Sequence, residues 1–390
     1  MNYVETKTFL TFSALDAIFW AFFAASAAFT TTYLLACGMS SSILSIMLAA
    51  YMGASFCGAF FWGPLCDKKQ TNRNIFIPVF IASVVTGLLI WVFASRNYWI
   101  SALLYPVFGF LLIPLGSNLD SWMLRAFHKD AGTYGRARSI GSIGYAIMAL
   151  VMGMLINTFG YIMIPALSIA LGLIVLAIAF SIKEERFEST ARKIEKPKGG
   201  IKDLLHIGPF MFMVVVVFFT GLSINPVNNL KTVFIQNVGG DVSMLGMDSF
   251  IGVCLQALLI FISGNLKRIP ADVRLFLMSA SVLTTMVLIS TAVNPWMIIL
   301  GTIFSNISYG IMLPTQREIV ETYVPDHIKT TAHSLSDTMY SGFSGIIALT
   351  YSGYIIDGFG AKYVTILGIC IMAIPCVLTL FRLFFRKRKA

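Results

Sequence analysis

From position 8 to position 384 the chain repeats one pattern, a long apolar stretch closed by a short polar break. Twelve stretches are legible, at roughly 8–36, 41–65, 75–95, 99–124, 137–157, 161–182, 207–236, 245–264, 273–292, 295–322, 332–356 and 361–384. Each offers about 18 or more residues, enough to cross a hydrocarbon core of about 30 Å as a helix. The first is too long for a signal-peptide core and shows no small-residue cleavage site before polar sequence, so it is expected to stay as a span. The pattern predicts an all-α membrane protein with twelve transmembrane helices.

One break is much longer than the rest. Lys183 to Asp203, KEERFESTARKIEKPKGGIKD, mixes charges of both signs with Pro197, Gly199 and Gly200, and reads as a solvated linker. It divides the chain into an N-terminal six-helix bundle at 1–182, a cytoplasmic linker at 183–206 and a C-terminal six-helix bundle at 207–390. The halves are related. With the chain shifted by 200 residues, Gly153, Ile156, Asn157, Phe159 and Gly160 meet Gly353, Ile356, Asp357, Phe359 and Gly360, and Pro114 meets Pro314. Six spans per half is an even number, so both halves enter the membrane in the same direction, as parallel repeats. In this layout the chain resembles the major facilitator superfamily, whose two bundles hold a substrate between them near mid-membrane.

Composition closes off other classes. Hydrophobic residues make up 57% of the 390 and charged residues only 12%, too few polar side chains to cover a soluble protein of this size. The net charge of +10 would suggest nucleic acid in a soluble protein. Here the cations fall on one side of the twelve-span layout, among them Lys68, Lys69, Arg73, Lys129, Arg136, Lys267, Arg274 and the tail Arg386, Lys387, Arg388 and Lys389, against Arg96 and Lys362 on the other. That asymmetry reports orientation. It puts both termini in the cytoplasm of a multi-pass cell-membrane protein and leaves no case for nucleic acid. The six cysteines lack metal-ligand spacing and read as free thiols. The four histidines form no H-E-x-x-H pair, and no G-x-S-x-G turn is present, so neither an enzyme nor a cofactor is expected.

The loop after the second span, GPLCDKKQTNR, resembles the superfamily's signature of glycine, an aspartate four residues on and a basic cluster. By that resemblance Gly63, Asp67 and Arg73 form a cytoplasmic gate, Gly63 allowing close helix packing and Asp67 pairing with basic groups or capping a helix. The second glycine of the signature is replaced by Gln70.

Ionisable side chains at membrane depth are costly unless paired or hydrated, which makes each a functional candidate. They are Asp16, Asp120, Arg138, Lys231, Arg317, Glu318, Glu321 and Asp337. Asp120 and Arg138 flank a helical hairpin whose turn, FHKDAGTYG, centres on Lys129, nine positions from each. At 1.5 Å per residue both lie about 13 Å along their helices, level with each other and several ångströms inside the boundary. Two readings fit: the pair meets in a cavity and holds a polar ligand, or Asp120 ends its span while Arg138 snorkels to the headgroups.

The segment GRARSIGSIGY resembles the oligosaccharide:proton symporter family, of which lactose permease is typical, and more loosely the nucleoside and phenylpropionate permeases. The resemblance implies that Arg138 binds sugar hydroxyls with Asp120, eighteen residues upstream, while Tyr145 stacks on the sugar ring and Ser142 faces it. Glycines Gly141 and Gly144 then serve close helix contacts. In the second half, Asn225 and Asn228 stand where that family carries two aspartates, and no counterpart is found for its span-nine arginine. Proton coupling therefore falls to other candidates: Asp16, Arg317, Glu318, Glu321 and Asp337. Glu318 and Glu321 lie three apart on one helix face, with Arg317 either pairing Glu318 or joining the relay. The expected function is proton-coupled uptake of a sugar, glycoside or similar small polar solute, by a protein working as a monomer in the lipid bilayer. The rival within the same scaffold is a nucleoside or aromatic-acid permease or a drug exporter.

Overall fold

The computed structural model describes residues 3–128, 130–183, 201–262 and 268–387. Most of the linker, the loop cations Lys129 and Lys267 and the last residues of the basic tail lie outside them. Among the described residues, eleven helices are long and apolar enough to cross a membrane.

The first runs from Tyr3–Phe23 through a π-helical turn, Ala24–Ala28, into Thr30–Ala36 (together α1). There follow α2 (Ser41–Lys69), α3 (Arg73–Ala94), α4 (Tyr98–Ala126), α5 (Ala131–Phe159) and α6 (Met163–Ser181). The second half holds α7 (Gly208–Asn229), a short helix Lys231–Asn237, α8 (Val242–Ile262), α9 (Ala271–Ser290) and α10 (Pro295–Tyr323). Next come Lys329–Asp337, a π-helical turn Thr338–Phe343 and Ser344–Phe359 (together α11), then α12 (Ala361–Lys387). The predicted span at 332–356 is α11. It is helical throughout, with a π-turn in its first half, but serine, threonine, glycine and tyrosine lower its hydropathy, so it falls outside the eleven apolar spans.

Sequence signals set the helix ends. The Asn97, Asp130 and Asn294 side chains accept hydrogen bonds from backbone N–H groups at the starts of α4, α5 and α10. The 200-residue offset reappears in the backbone. Gly160 ends α5 with φ of 81° and Gly360 ends α11 with φ of 99°, a conformation that favours glycine, and Pro114 and Pro314 sit inside α4 and α10.

The chain forms two compact units, Met1–Ala191 with Asp241–Val253, and Arg192–Gly240 with Cys254–Ala390. In the first, α2 packs along α4, α1 along α5, and α3 along α4. In the second, α9 packs against α10 and α12, and α7 against α11 and α12, around a core that includes Val216, Val217, Met278 and Val320.

Candidate functional site

In the first unit, three helices bring three ionisable side chains together. Arg138 of α5 lies between Asp16 of α1, at 3.8 Å from Nη1 to Oδ2, and Asp120 of α4, at 3.5 Å from Nε to Oδ1. The Asp16 side chain is 0% exposed, while those of Arg138 and Asp120 are 29% and 32% exposed. The cluster therefore has a dry end at Asp16 and an accessible end at Asp120.

Local geometry explains the convergence. Asp16 and Trp20 sit one turn apart on the same face of α1, and the Trp20 indole N–H donates to Asp16 Oδ1 at 3.0 Å. The Arg138 guanidinium stacks over the Trp20 ring at 4.4 Å. Gly141, one turn after Arg138, makes this possible: a Cβ there would fall 1.9 Å from Asp16 Oδ2 and 2.9 Å from Trp20 Cδ1. Arg136 is two residues earlier, about 200° round the helix, and faces elsewhere. It is exposed and bonds Thr133 Oγ1 at 3.2 Å.

The cluster is only partly satisfied. Asp16 Oδ2, Arg138 Nη1 and Asp120 Oδ1 are buried atoms with no hydrogen-bond partner among the described residues. Two carboxylates face one guanidinium, so the fully ionised site carries one net negative charge. Such an arrangement holds ions close without the directed hydrogen bonds that would lock them. It is suited to taking up a proton or a hydrogen-bonding solute.

Further along α5, Ser142 and Tyr145 are half-buried, and the Tyr145 ring lies 6.4 Å from that of Phe23, one turn beyond Trp20. Asp248 in α8 is not among the sequence candidates. It is 1% exposed.

A match to the profile of the MFS_1 like family covers residues 10–367. The chain belongs to this family of major facilitator transporters. It is 25% identical over 334 residues to the maltose permease of Geobacillus stearothermophilus, covering 84% of this chain and 82% of that one. It is also 24% identical over 302 residues to the transporter YwbF of Bacillus subtilis strain 168, covering 76% and 73%. Among solved structures, a mutant of the nucleoside transporter NupG superposes with a TM-score of 0.82 at 12% identity, over 96% of this chain and 99% of that one. A bacterial homologue of the human lysosomal transporter Spinster gives 0.71 at 11% identity, over 98% and 97%. The protein is a multi-pass membrane transporter and not an enzyme.

The transporter's signature loop is built into a polar network. Asp67 pairs with Arg125 near the end of α4 at 3.1 Å, and Arg125 also bonds Asn72. Asn72 donates to Asn118 Oδ1 at 2.8 Å. Arg73 instead donates to the carbonyls of Ala179 and Phe180, at 3.2 and 3.0 Å, closing the end of α6. Gly63 departs from its expected role, since a Cβ there would meet nothing within 4 Å and no close helix contact depends on it.

In the second unit the candidates divide differently from the sequence reading. Arg317 pairs with Asp337 of α11 at 2.8 Å rather than with its neighbour Glu318. Glu318 meets Arg274 of α9 at 2.6 Å. Arg274, which the sequence groups with the loop cations, is 1% exposed inside the unit, so span nine does hold a buried arginine. Glu321 is exposed and engages Lys329 at 2.8 Å and His333 at 3.3 Å. Lys231 donates to Thr302 at 3.0 Å. Asn225 is buried, and its amide donates to the Tyr340 carbonyl at 2.9 Å and Ser344 Oγ at 3.0 Å, clasping the π-turn of α11. Asn228 is exposed.

Proposed function

We propose that this transporter takes up a sugar, glycoside or similar uncharged polar solute together with a proton, with both termini in the cytoplasm and access alternating between the two sides of the membrane. The observation that carries the reading is the Asp16, Arg138, Asp120 cluster, where a fully buried carboxylate and a half-exposed one share a single guanidinium.

Asp16 is the proton carrier. Ionised, it holds Arg138 by charge. Protonated, it leaves the guanidinium to Asp120 and to solute hydroxyls, and the site becomes neutral overall. A neutral solute then enters a neutral site, whereas an anion would meet excess negative charge whenever Asp16 is ionised. Arg138 and Asp120 supply directed hydrogen bonds to hydroxyl groups, and Ser142 and Tyr145, further along the same helix, extend the surface toward a second ring. The sequence relative named a maltose permease agrees with this class of solute.

The test is uptake into proteoliposomes of labelled maltose, other sugars, nucleosides and aromatic acids, with and without an imposed proton gradient. Concentrative uptake of a sugar only with the gradient is the expected result. Gradient-independent accumulation, or preference for an aromatic acid, would overturn it.

A further inference from the structure

The second unit carries a cavity that no transport step uses. It has a volume of about 730 Å³ and lies between the starts of α7 and α9 and the ends of α10 and α12. Its lining is divided by polarity. Phe212, Leu275, Ile319 and Leu378 form an apolar wall, while Asp272 and Arg382 stand together as its charged pair. The Arg382 Nε meets Asp272 Oδ1 at 3.0 Å, and its guanidinium lies 4.3 Å over the Phe212 ring.

The cavity faces outward from the unit. Among its lining residues Leu378 is 40% exposed and Phe381 62% exposed, apolar surface that in a membrane protein meets lipid. Asp272 is nearly buried, with a side chain 9% exposed, and meets Arg382 at its Nε edge. The two Nη nitrogens, the fork that matches a phosphate, make no hydrogen bond among the described residues, and the Arg382 side chain is 33% exposed. Asp272 is nearly enclosed beneath Arg382, which carries the cation at the surface of the groove. The helix starts at α7 and α9, neither capped by a side chain, add partial positive charge of their own.

We propose that this groove holds one anionic phospholipid of the leaflet at the α12 end, its phosphate on the Nη edge of Arg382 and an acyl chain along Phe212, Ile319 and Leu378. Basic pockets between membrane helices recognise lipid headgroups in this way, by charge at the interface and by burial of the chain below it. The site is separate from the Asp16 cluster, so it acts on the stability or the rate of the transporter and not on solute choice.

The test uses the purified full-length protein with photoactivatable phosphatidylglycerol and phosphatidylethanolamine, labelled peptides being mapped by mass spectrometry. Phosphatidylglycerol is expected to label the peptides containing Phe212 and Phe381 in preference to phosphatidylethanolamine. Arg382→Ala should weaken phosphatidylglycerol binding in native mass spectrometry about fivefold, the effect of one basic side chain at an anionic surface. Leu378→Trp narrows the groove while leaving the ion pair, and should reduce labelling there by both lipids. Equal labelling by the two lipids, labelling confined to other surfaces, or unchanged phosphatidylglycerol binding in Arg382→Ala would overturn the proposal. If Arg382→Ala fails to fold, the wild-type labelling pattern and Leu378→Trp still decide it.

Discussion

Asp16 Oδ2 and Arg138 Nη1 lie 3.8 Å apart on neighbouring helices, and neither atom has a hydrogen-bond partner among the described residues. The relationship is a charge contact without a lock. A buried pair of this kind can change partners at little cost in broken hydrogen bonds, which is what a coupling step between proton and solute requires.

The first prediction concerns the fork of Arg138. Arg138→Lys retains the charge between Asp16 and Asp120 but loses the planar donors, and solute binding should weaken about tenfold, or ~1.4 kcal/mol. Arg138→Ala leaves two carboxylates without a cation and should cost about 3–5 kcal/mol in folding as well. Isothermal titration with the best transported sugar and a thermal unfolding scan separate the two effects.

A methyl group tests the packing beneath the site. Gly141→Ala places a Cβ on the Asp16 carboxylate and should reduce transport to background, with overpacking of about 1–3 kcal/mol visible in thermal stability. Gly63→Ala meets no neighbour and should transport as wild type. Initial uptake rates of the two variants at matched expression provide the comparison.

Asn225 is assigned to the clasp on the α11 π-turn. Asn225→Ala removes its bonds to Tyr340 and Ser344, each worth about 0.5–1.5 kcal/mol, and should lower the unfolding midpoint. Asn225→Asp, which cannot donate, should lower it too. A variant that loses sugar affinity with unchanged stability would instead make Asn225 a solute ligand.

The start of α5 gives a pH prediction outside the membrane. The Thr133 hydroxyl and the backbone N–H groups of Gly132 and Thr133 hold the Asp130 carboxyl below its ordinary value of 3.8. A lowered folded-state value means that the ionised cap stabilises the helix at pH above 3.8 and that this contribution is lost as pH falls through the lower value. Asp130→Ala should therefore be less stable than wild type at neutral pH, and the gap should close only in strong acid. Thermal scans of both proteins across the acid range measure it.

Much of this is legible without coordinates. Twelve apolar runs set the helix count because membrane helices must satisfy their own backbone, and the duplication seen in Gly160 and Gly360 becomes matching helix ends. The hairpin argument brings Asp120 and Arg138 to one depth, since both lie on regular helices of known rise. Asp16 as the third member is no more than a candidate in the sequence, because sequence distance says nothing about which face of α1 meets α5. Arg274 escapes the sequence for a related reason. It stands close to a basic loop, and nothing in the string separates a loop cation from one turned inward onto Glu318. The role of Asn225 is hidden because a π-turn on α11, whose Tyr340 carbonyl it reaches, leaves no mark in the hydrophobic pattern.

The most direct measurement of the coupling claim is sugar accumulation in proteoliposomes by wild type and Asp16→Asn, each with an inward proton gradient and in solute exchange without one. The account predicts that wild type concentrates the sugar only with the gradient, while Asp16→Asn exchanges it across the membrane but never concentrates it. Gradient-driven accumulation by Asp16→Asn at the wild-type level would contradict it.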